Sequence, residues 1–396
     1  MDLELLQKAK DIANHIQESD IQSFILKNQN KIEPDLLRFT ADQWIARQKS
    51  KNKLPVWYSN TNIIFPPPLS VEQSSSDITA NYKAEIFCQN NKANLIDLTG
   101  GMGVDTSAFA KRCKSVIYVE QKELLAKVAR HNFDVLGFKN IEVINNDSNK
   151  IIKKLNSSIT HWYIDPARRD NSNNKVFKIE DCEPNIIEIK HLFKNYLVKF
   201  SPLLDIKLAI EQLKDVSEVY IIAVENEVKE LLFLNRDFNN STQIICVNFL
   251  SNGNKQSFHF DYSKEQNALV NYSDPQMYIY EPNAAILKAG AFKSIAQTLQ
   301  LNKLAPNSHL YTSSILVENF PGRSFVCEAV CKFDKKEILS KLPTNQANIT
   351  TRNFPIKPDE IKKKLGLKDG GDSYLFATEN YERQKIVLVC RKTLNE

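Results

Sequence analysis

A doubly wound α/β fold with a mostly parallel sheet is predicted for the centre of this 396-residue chain. Three observations predict it. Apolar runs read as strands at 94–98, 115–120, 141–145, 161–165, 197–201, 219–224 and 243–249. Helical patterns such as ELLAKVARHNFDVLG separate them, and strand–helix alternation of this kind buries its apolar faces best as a parallel sheet. The first strand runs into LTGGMGVDT, where Gly100, Gly101 and Gly103 break the run before a helix begins, the local chemistry of a ligand-binding turn.

The flanking elements follow from spacing. Leu3, Leu5, Leu6, Ala9, Ile12, Ala13 and Ile16, then Ile21, Phe24, Ile25 and Leu26, recur at helical intervals and predict one or two helices. DLLRFTADQWIARQK adds another. FPPPL at 65–69 is extended, because consecutive prolines exclude helix, and a first boundary is placed there. NFLSNGNKQSFHF predicts an edge hairpin around Asn252-Gly253. After Tyr272 the rhythm changes. YIYEPNAAILKAGAFKSIAQTL gives a strand and a helix, and HLYTSS a short strand. From PGRSFVCEAVCKF onward, strands and the helices DKKEILSKL and KPDEIKKKLG form a small α+β unit with helices on one face of an antiparallel sheet. The segments expected are 1–70 (helical), 71–272, 273–320 and 321–396.

Composition narrows the class. Apolar residues at 42% and charged residues at 25% are ordinary for a soluble globular protein. The net charge of +5 is located at one end: residues 321–396 hold 15 Lys and Arg against 10 Asp and Glu, which is the whole excess. That is either a footprint for a polyanion or the solvated face of a small domain. Seven cysteines without a C-x-x-C pair argue against a zinc site or disulfide framework, so no metal is expected. No run approaches membrane-spanning length, and with free cysteines and no secretory signal the expected location is cytoplasmic.

The glycine turn excludes two ligands. A dinucleotide turn would place a third glycine where Thr106 stands, and the G-K-[ST] of a triphosphate loop is missing. Asp97 closes the strand before the turn, and a carboxylate there repels pyrophosphate but suits a cationic, zwitterionic head. Glu120 ends the second strand, where an acid can accept from both hydroxyls of a ribose. Asp147 follows the third strand, in reach of an adenine amino group, and Asp165-Pro166 ends the fourth. Four acids at successive C-terminal strand ends, with Thr99, Gly100, Gly101 and Gly103 forming the turn, describe a site for S-adenosylmethionine.

D-L-T-G-G-M-G, Y-V-E, N-N-D and D-P-A-R resemble the successive motifs of class I S-adenosylmethionine-dependent methyltransferases. More narrowly, the chain from about Glu72 resembles a bacterial group in which that catalytic domain precedes a small ferredoxin-like piece and a C-terminal THUMP-like domain. EQSSSDITANYKAEIF and TRNFPIKPDEIKKKLGLKDGGDSYLFAT carry this likeness. It implies a Rossmann-like methyltransferase sheet over 71–272, a ferredoxin-like domain over 273–320 and a THUMP-like RNA-binding domain over 321–396. Because THUMP domains occur in enzymes that modify RNA, it also implies structured RNA, tRNA or rRNA, as substrate.

In similar enzymes that methylate exocyclic amines, the fourth-strand motif is Asp or Asn, Pro, Pro, then an aromatic. Asp165 and Pro166 fit as catalytic residues; Ala167 and Arg168 depart. Arg168 stacks on a base or holds a phosphate, and with Arg169 and Arg352 forms the expected substrate contacts; a solvated loop pair is the plainer reading of 168 and 169. Cys182 and Cys246 lack the setting that carbon methylation needs. KFSPLLD (199–205) is placed at the far wall of the pocket. Ser75, Thr79 and Lys83 either approach the donor's carboxylate or belong to a plain capping helix. Arg38, Arg47, Lys49, Lys51 and Lys53, interleaved with Trp44 and Trp57, suit phosphates and unstacked bases, although both tryptophans also suit a core. Lys362, Lys363 and Lys364 complete a basic C-terminal face. The sequence favours an RNA base-nitrogen methyltransferase. A protein or small-molecule methyltransferase with a dimerising C-terminal domain, and a non-catalytic RNA-binding protein, are the alternatives.

Overall fold

A computed structural model describes residues 3–17, 21–89, 92–153, 158–167, 179–236 and 241–393. The chain forms two compact units. One comprises Met1–Phe200, Glu211–Lys214 and Leu234–Arg236; the other comprises Ser201–Ile210, Asp215–Phe233 and Asp237–Glu396.

The first unit opens with α1 (Leu3–Ala13), α2 (Ile21–Asn28), α3 (Pro34–Ser50), α4 (Pro55–Ser59), α5 (Pro68–Gln73) and α6 (Asp77–Phe87). Their starts follow local rules. Pro34 stands in the first turn of α3 while Glu33 accepts from Leu36 N at 3.0 Å, and Ser76 caps α6 by accepting from Thr79 N at 3.2 Å. The proline run ends in helix α5, which starts at Pro68, the one helical position that tolerates proline without loss. Asn132 ties the segment between α4 and α5 down, donating to Ile64 O (2.8 Å) and accepting from Ile64 N (3.0 Å).

Then come β1 (Asn94–Asp97), α7 (Val104–Ala110), β2 (Ser115–Glu120), α8 (Glu123–Val135), β3 (Ile141–Asn145), α9 (Ser148–Ile152), β4 (His161–Ile164), α10 (Ile186–Ile189) and β5 (Tyr196–Phe200). The strands lie in the order β3-β2-β1-β4-β5, and the neighbours are parallel. Leu95, Ile96, Val116, Tyr118, Tyr163, Ile164, Leu197 and Val198 are all buried, as expected of strands covered on both faces. The chain winds outward from β1 to β3 and returns to place β4 on the other side of β1. That reversal is where open α/β sheets leave a crevice for ligands.

After α11 (Ile206–Leu213) the second unit holds β6 (Glu218–Val224), β7 (Glu227–Asn235) as far as Phe233, β8 (Gln243–Phe249) and β9 (Lys255–Phe260) in the order β7-β6-β8-β9. The expected hairpin at Asn252-Gly253 joins β8 to β9, with Gly253 at φ +84°. β7 was not visible in the sequence. The turn before it is Glu225-Asn226, with φ of 50° and 63°, a primed hairpin turn made without glycine.

The remaining elements are α12 (Tyr262–Asn267), β10 (Tyr278–Pro282), α13 (Ala284–Ala289), α14 (Ser294–Thr298), β11 (Asn302–Lys303), β12 (Tyr311–Ser313), β13 (Gly322–Lys332), α15 (Lys335–Ser340), β14 (Asn348–Thr351), α16 (Pro358–Leu365), β15 (Ser373–Glu379) and β16 (Lys385–Lys392). They build one sheet in the order β11-β12-β10-β13-β16-β15-β14. Strand alternation sends Val387, Val389, Leu375 and Ala377 to a core with Ile338 and Ile361 of the helices, and Leu388, Cys390 and Phe376 to a second core with Ile279 and Leu304. Because β10 pairs along β13, residues 278–282 and 322–326 share one sheet and one core.

Candidate active site

A cavity of about 320 Å³ opens at the C-terminal ends of the parallel strands of the first unit. Asp97, Thr99, Gly100, Gly101, Gly103, Glu120, Asp147 and Asp165 all line it. The structure thus brings together the acids that the sequence placed at four different strand ends.

Asp97 forms the floor, with only 1% of its surface exposed. Its Oδ1 accepts from Thr99 N at 3.0 Å and its Oδ2 from Thr106 Oγ1 at 2.6 Å. Burial pushes its carboxyl up to about 7; the two hydrogen bonds pull it down, and the nearby Asp105 and Asp165 charges push it up again. Above it the turn is closed by Gly103 N donating to Gly100 O at 2.9 Å. Gly101 and Gly103 adopt φ of +54° and +86°, where side chains are strained. A Cβ on Gly100 would lie 2.2 Å from the Tyr118 ring. Tyr118 donates to Gly101 O at 2.6 Å, and burial followed by the Glu120 and Asp97 charges holds its phenol well above its usual range, so it stays a donor.

Glu120 is fixed through both oxygens. Oε2 accepts from Gly101 N at 3.0 Å and Oε1 from Lys122 N at 2.8 Å. Each oxygen keeps a second lone-pair site, so a pre-oriented carboxylate remains available to a diol. Asp147 caps α9 by accepting from Asn149 N at 2.8 Å, which leaves its other oxygen for a ligand.

At the opposite end Asp165 follows β4. Its amide donates to Thr99 Oγ1 at 2.7 Å, so one threonine links Asp97 to Asp165. The Asp165 carboxylate pairs with the Lys199 ammonium. Pro166 is buried behind it, and Ala167 is exposed on the wall. Ala167 and Glu183 exchange backbone hydrogen bonds of 2.8 and 3.0 Å, which brings Glu183 to the same wall. Arg168 and Arg169 lie outside the described residues.

Sequence reasoning missed Asp105, Tyr163 and Glu183. Asp105 accepts from Tyr163 Oη at 2.7 Å and Ser75 Oγ at 2.9 Å, and its Oδ1 is 3.2 Å from Lys83 Nζ. Burial raises its carboxyl, but the Lys83 and Lys199 charges and the two hydroxyls outweigh that and hold it below the usual range. Lys83 is completely buried, donates to Ser75 at 2.9 Å and is absent from the cavity wall; Ser75 is on the wall. Thr79 is buried in the first turn of α6. The available signal was an acid in the first turn of the helix after the glycines. Ser70 and Gln73 to Ser75 also line the cavity, so the segment around α5 is part of the site.

The basic residues divide. Arg47 donates to Asn14 Oδ1 (2.9 Å) and Tyr58 O (2.7 Å), Lys49 pairs with Glu72, and Lys53 donates to Val71 O (2.8 Å) and Glu72 O (2.7 Å). These contacts fasten α3 to its neighbours. Trp57 is 3% exposed, which leaves no face for stacking. Arg352 binds Glu281 at 2.8 Å beside Arg323, and Lys362 binds Asp359 (3.2 Å) and Asp369 (2.6 Å). Lys363 and Lys364 are exposed. No described cysteine lines the cavity: Cys182 and Cys246 are buried, and burial pushes the Cys246 thiol up. Among the described residues no group of three His, Cys, Asp or Glu could hold a metal ion, and no helix is long and apolar enough to cross a membrane.

Comparison with known proteins places the chain. The crystal structure of a candidate methyltransferase from Porphyromonas gingivalis W83 superposes with a TM-score of 0.89 at 32% identity, covering 99% of each chain. The chain belongs to that methyltransferase family. A ferredoxin-like domain model matches residues 278–321 of this methyltransferase, and a THUMP domain-like model matches residues 322–392. An rRNA methylase from Streptococcus thermophilus is 15% identical, with a TM-score of 0.29 over 40% of this chain and 92% of its own. A candidate methyltransferase from Streptococcus mutans in complex with SAH is 15% identical, with a TM-score of 0.30 over 40% and 94%. No curated protein matches the chain.

Proposed function

We propose that the protein is an S-adenosylmethionine-dependent methyltransferase that modifies a base nitrogen of structured RNA, tRNA or rRNA, in the cytoplasm. The observation that carries the donor assignment is the joining of Asp97, Glu120 and Asp147 around a glycine turn whose amide is bonded to Glu120 itself. The donor fits this chemistry: Glu120 for the ribose hydroxyls, Asp147 for the adenine amine, and Asp97 with Thr99 and the glycine amides for the charged amino-acid end. When bound, S-adenosylmethionine supplies an electrophilic methyl group. The protein contributes alignment: Asp165 accepts a hydrogen bond from the acceptor amine, and the wall around Ala167 and Glu183 receives an extruded base. The THUMP-like segment and its exposed lysines support RNA as the partner. Arg168, Arg169 and Arg352 are proposed substrate contacts, Arg352 acting from its Glu281 pair.

Calorimetry tests the donor. Glu120→Ala should weaken S-adenosylmethionine binding by roughly 1–3 kcal/mol, the cost of losing hydrogen bonds to a charged group. Equal affinity would remove the ribose assignment.

Asp97 makes that affinity depend on pH. Below about 7 its carboxyl is protonated and neutral; above it, the carboxylate attracts the cationic donor. Donor binding should therefore tighten from pH 6 to pH 8, no faster than about tenfold per pH unit, the limit for one linked proton. The free protein should show the opposite trend. A carboxyl whose folded pKa is raised stabilises the fold fully at low pH and loses that contribution as pH rises through about 7. Thermal shift by the donor, measured across this range, checks both signs.

RNA capture is tested without truncation, because removing residues 321–396 would strip Phe325, Phe376 and Leu388 from the core that also holds Ile279. The double variant Lys363→Glu/Lys364→Glu alters only exposed positions. If both lysines meet phosphates, the slope of log affinity against log salt should fall by about two. An unchanged slope would leave the lysines as a solvated helix face.

A further inference from the structure

Lys199, the penultimate residue of β5, stands at the acceptor end of the cavity, and the function proposed above gives it no part. Its side chain is 12% exposed, its ammonium pairs with Asp165 Oδ2, and its charge also lowers Asp105. Asp105 is in turn paired with the buried Lys83 at 3.2 Å. Charges of alternating sign therefore run from the buried Lys83 out to the cavity wall: Lys83, Asp105, Lys199, Asp165.

The groups around Asp165 explain why a cation is needed there. Asp97 on β1 and Asp105 on α7 are carboxylates whose charges act on one another, and Asp165 adds to the repulsion at Asp97. Glu183 is on the same wall, and Tyr163, although only two residues before Asp165, gives its hydroxyl to Asp105. Among these neighbours Lys199 is the cation against Asp165. It occupies Oδ2, while Thr99 holds the Asp165 amide at 2.7 Å. One carboxylate oxygen, Oδ1, is left to meet an acceptor.

We propose that Lys199 is a positioning residue for methyl transfer: its ammonium clamps Asp165 through Oδ2 so that Oδ1 is presented to the acceptor. The proposal rests on the reading of Asp165 as the acid that binds the acceptor. It also accounts for the missing aromatic after Asp165-Pro166-Ala167, since orientation that a stacked ring would share is carried here by a fixed carboxylate.

Lys199→Met keeps the length of the side chain and removes its charge; Lys199→Arg keeps the charge. Single-turnover transfer from S-adenosylmethionine to total cellular tRNA and rRNA should fall at least a hundredfold in Lys199→Met and recover to within tenfold of wild type in Lys199→Arg. The dissociation constant for S-adenosylmethionine should stay within threefold in both. Rescue by Lys199→Arg, which keeps the charge against Asp165, separates positioning from loss of side-chain bulk. Transfer within threefold of wild type in Lys199→Met, or no recovery in Lys199→Arg, overturns the proposal. A crystal structure of Lys199→Met gives a readout independent of any substrate: the Asp165 carboxylate should leave its wild-type orientation, and an unmoved carboxylate also overturns the proposal. Failure of the wild-type protein to methylate RNA would count against the proposed function instead, and the crystallographic result would still decide the role of Lys199.

Discussion

The Asp165→Ala protein is expected to bind S-adenosylmethionine like the wild type and to transfer methyl groups on the order of 10²–10⁴-fold more slowly, the usual range for a positioned carboxylate. The separation follows from where its contacts fall. Asp97, Glu120 and Asp147, the acids assigned to the donor, take their hydrogen bonds from Thr99, Thr106, Gly101, Lys122 and Asn149, none of them from the Asp165 side chain. Among the described residues the Asp165 carboxylate is tied to the acceptor end, through Lys199. Its removal also lessens the repulsion on Asp97, so donor affinity should hold or improve slightly. Asp165→Asn supplies the contrast. It keeps the size and one acceptor oxygen but loses the charge that holds Lys199, so its rate should lie between the other two. Single-turnover assays with calorimetry on the same preparations check this. A rate for Asp165→Ala near wild type would move the acceptor acid elsewhere, and Glu183 would be the first residue to examine.

The acids of the site were legible because strand-end positions can be read from hydrophobic periodicity. Asp97 and Glu120 close apolar runs and Asp147 follows one, runs whose alternation with helices reads as parallel strands, and open sheets gather those ends. Asp105 was not legible: it stands one residue into α7, and its partners Lys83, Ser75 and Tyr163 come from distant segments that only the folded chain assembles. Lys83 could be noticed in sequence, but its direction could not, and it points into a buried ion pair rather than at the cavity. β7 escaped for a different reason. Its turn, Glu225-Asn226, uses positive φ at two residues with side chains, so the glycine signal of a hairpin was missing. The basic stretch around α3 looked like a surface for phosphates because composition cannot tell a solvated lysine from one bound to a backbone carbonyl. The structure spends Arg47, Lys49 and Lys53 on internal contacts. Lys363 and Lys364 were legible as exposed positions, because their helix has buried Ile361 and Leu365 on the opposite face.

Gly103→Ala should cost the fold more than Gly101→Ala, its neighbour in the same turn. Both residues have positive φ, +86° and +54°, which costs an L-residue roughly 1–2 kcal/mol. At Gly101 the added Cβ meets nothing nearer than Thr99 O at 3.7 Å, so that cost is the whole effect on the fold. At Gly103 the Cβ would lie 2.6 Å from Phe133 Cζ and 2.8 Å from Cε1. Phe133 cannot retreat: it is 3% exposed and packs edge-on against Tyr118, with ring centroids 5.4 Å apart at 78°. Tyr118 is itself fixed by its bond to Gly101 O. Overpacking of this kind adds roughly 1–3 kcal/mol, for a total of about 2–5 kcal/mol. The same displacement would shift the turn that carries Gly101 N, the amide bonded to Glu120, so donor affinity should fall together with stability. Denaturant unfolding and calorimetry on both variants provide the measurement. If Gly103→Ala is no less stable than Gly101→Ala, the Phe133 ring has room to move and the rigidity ascribed to the turn is wrong.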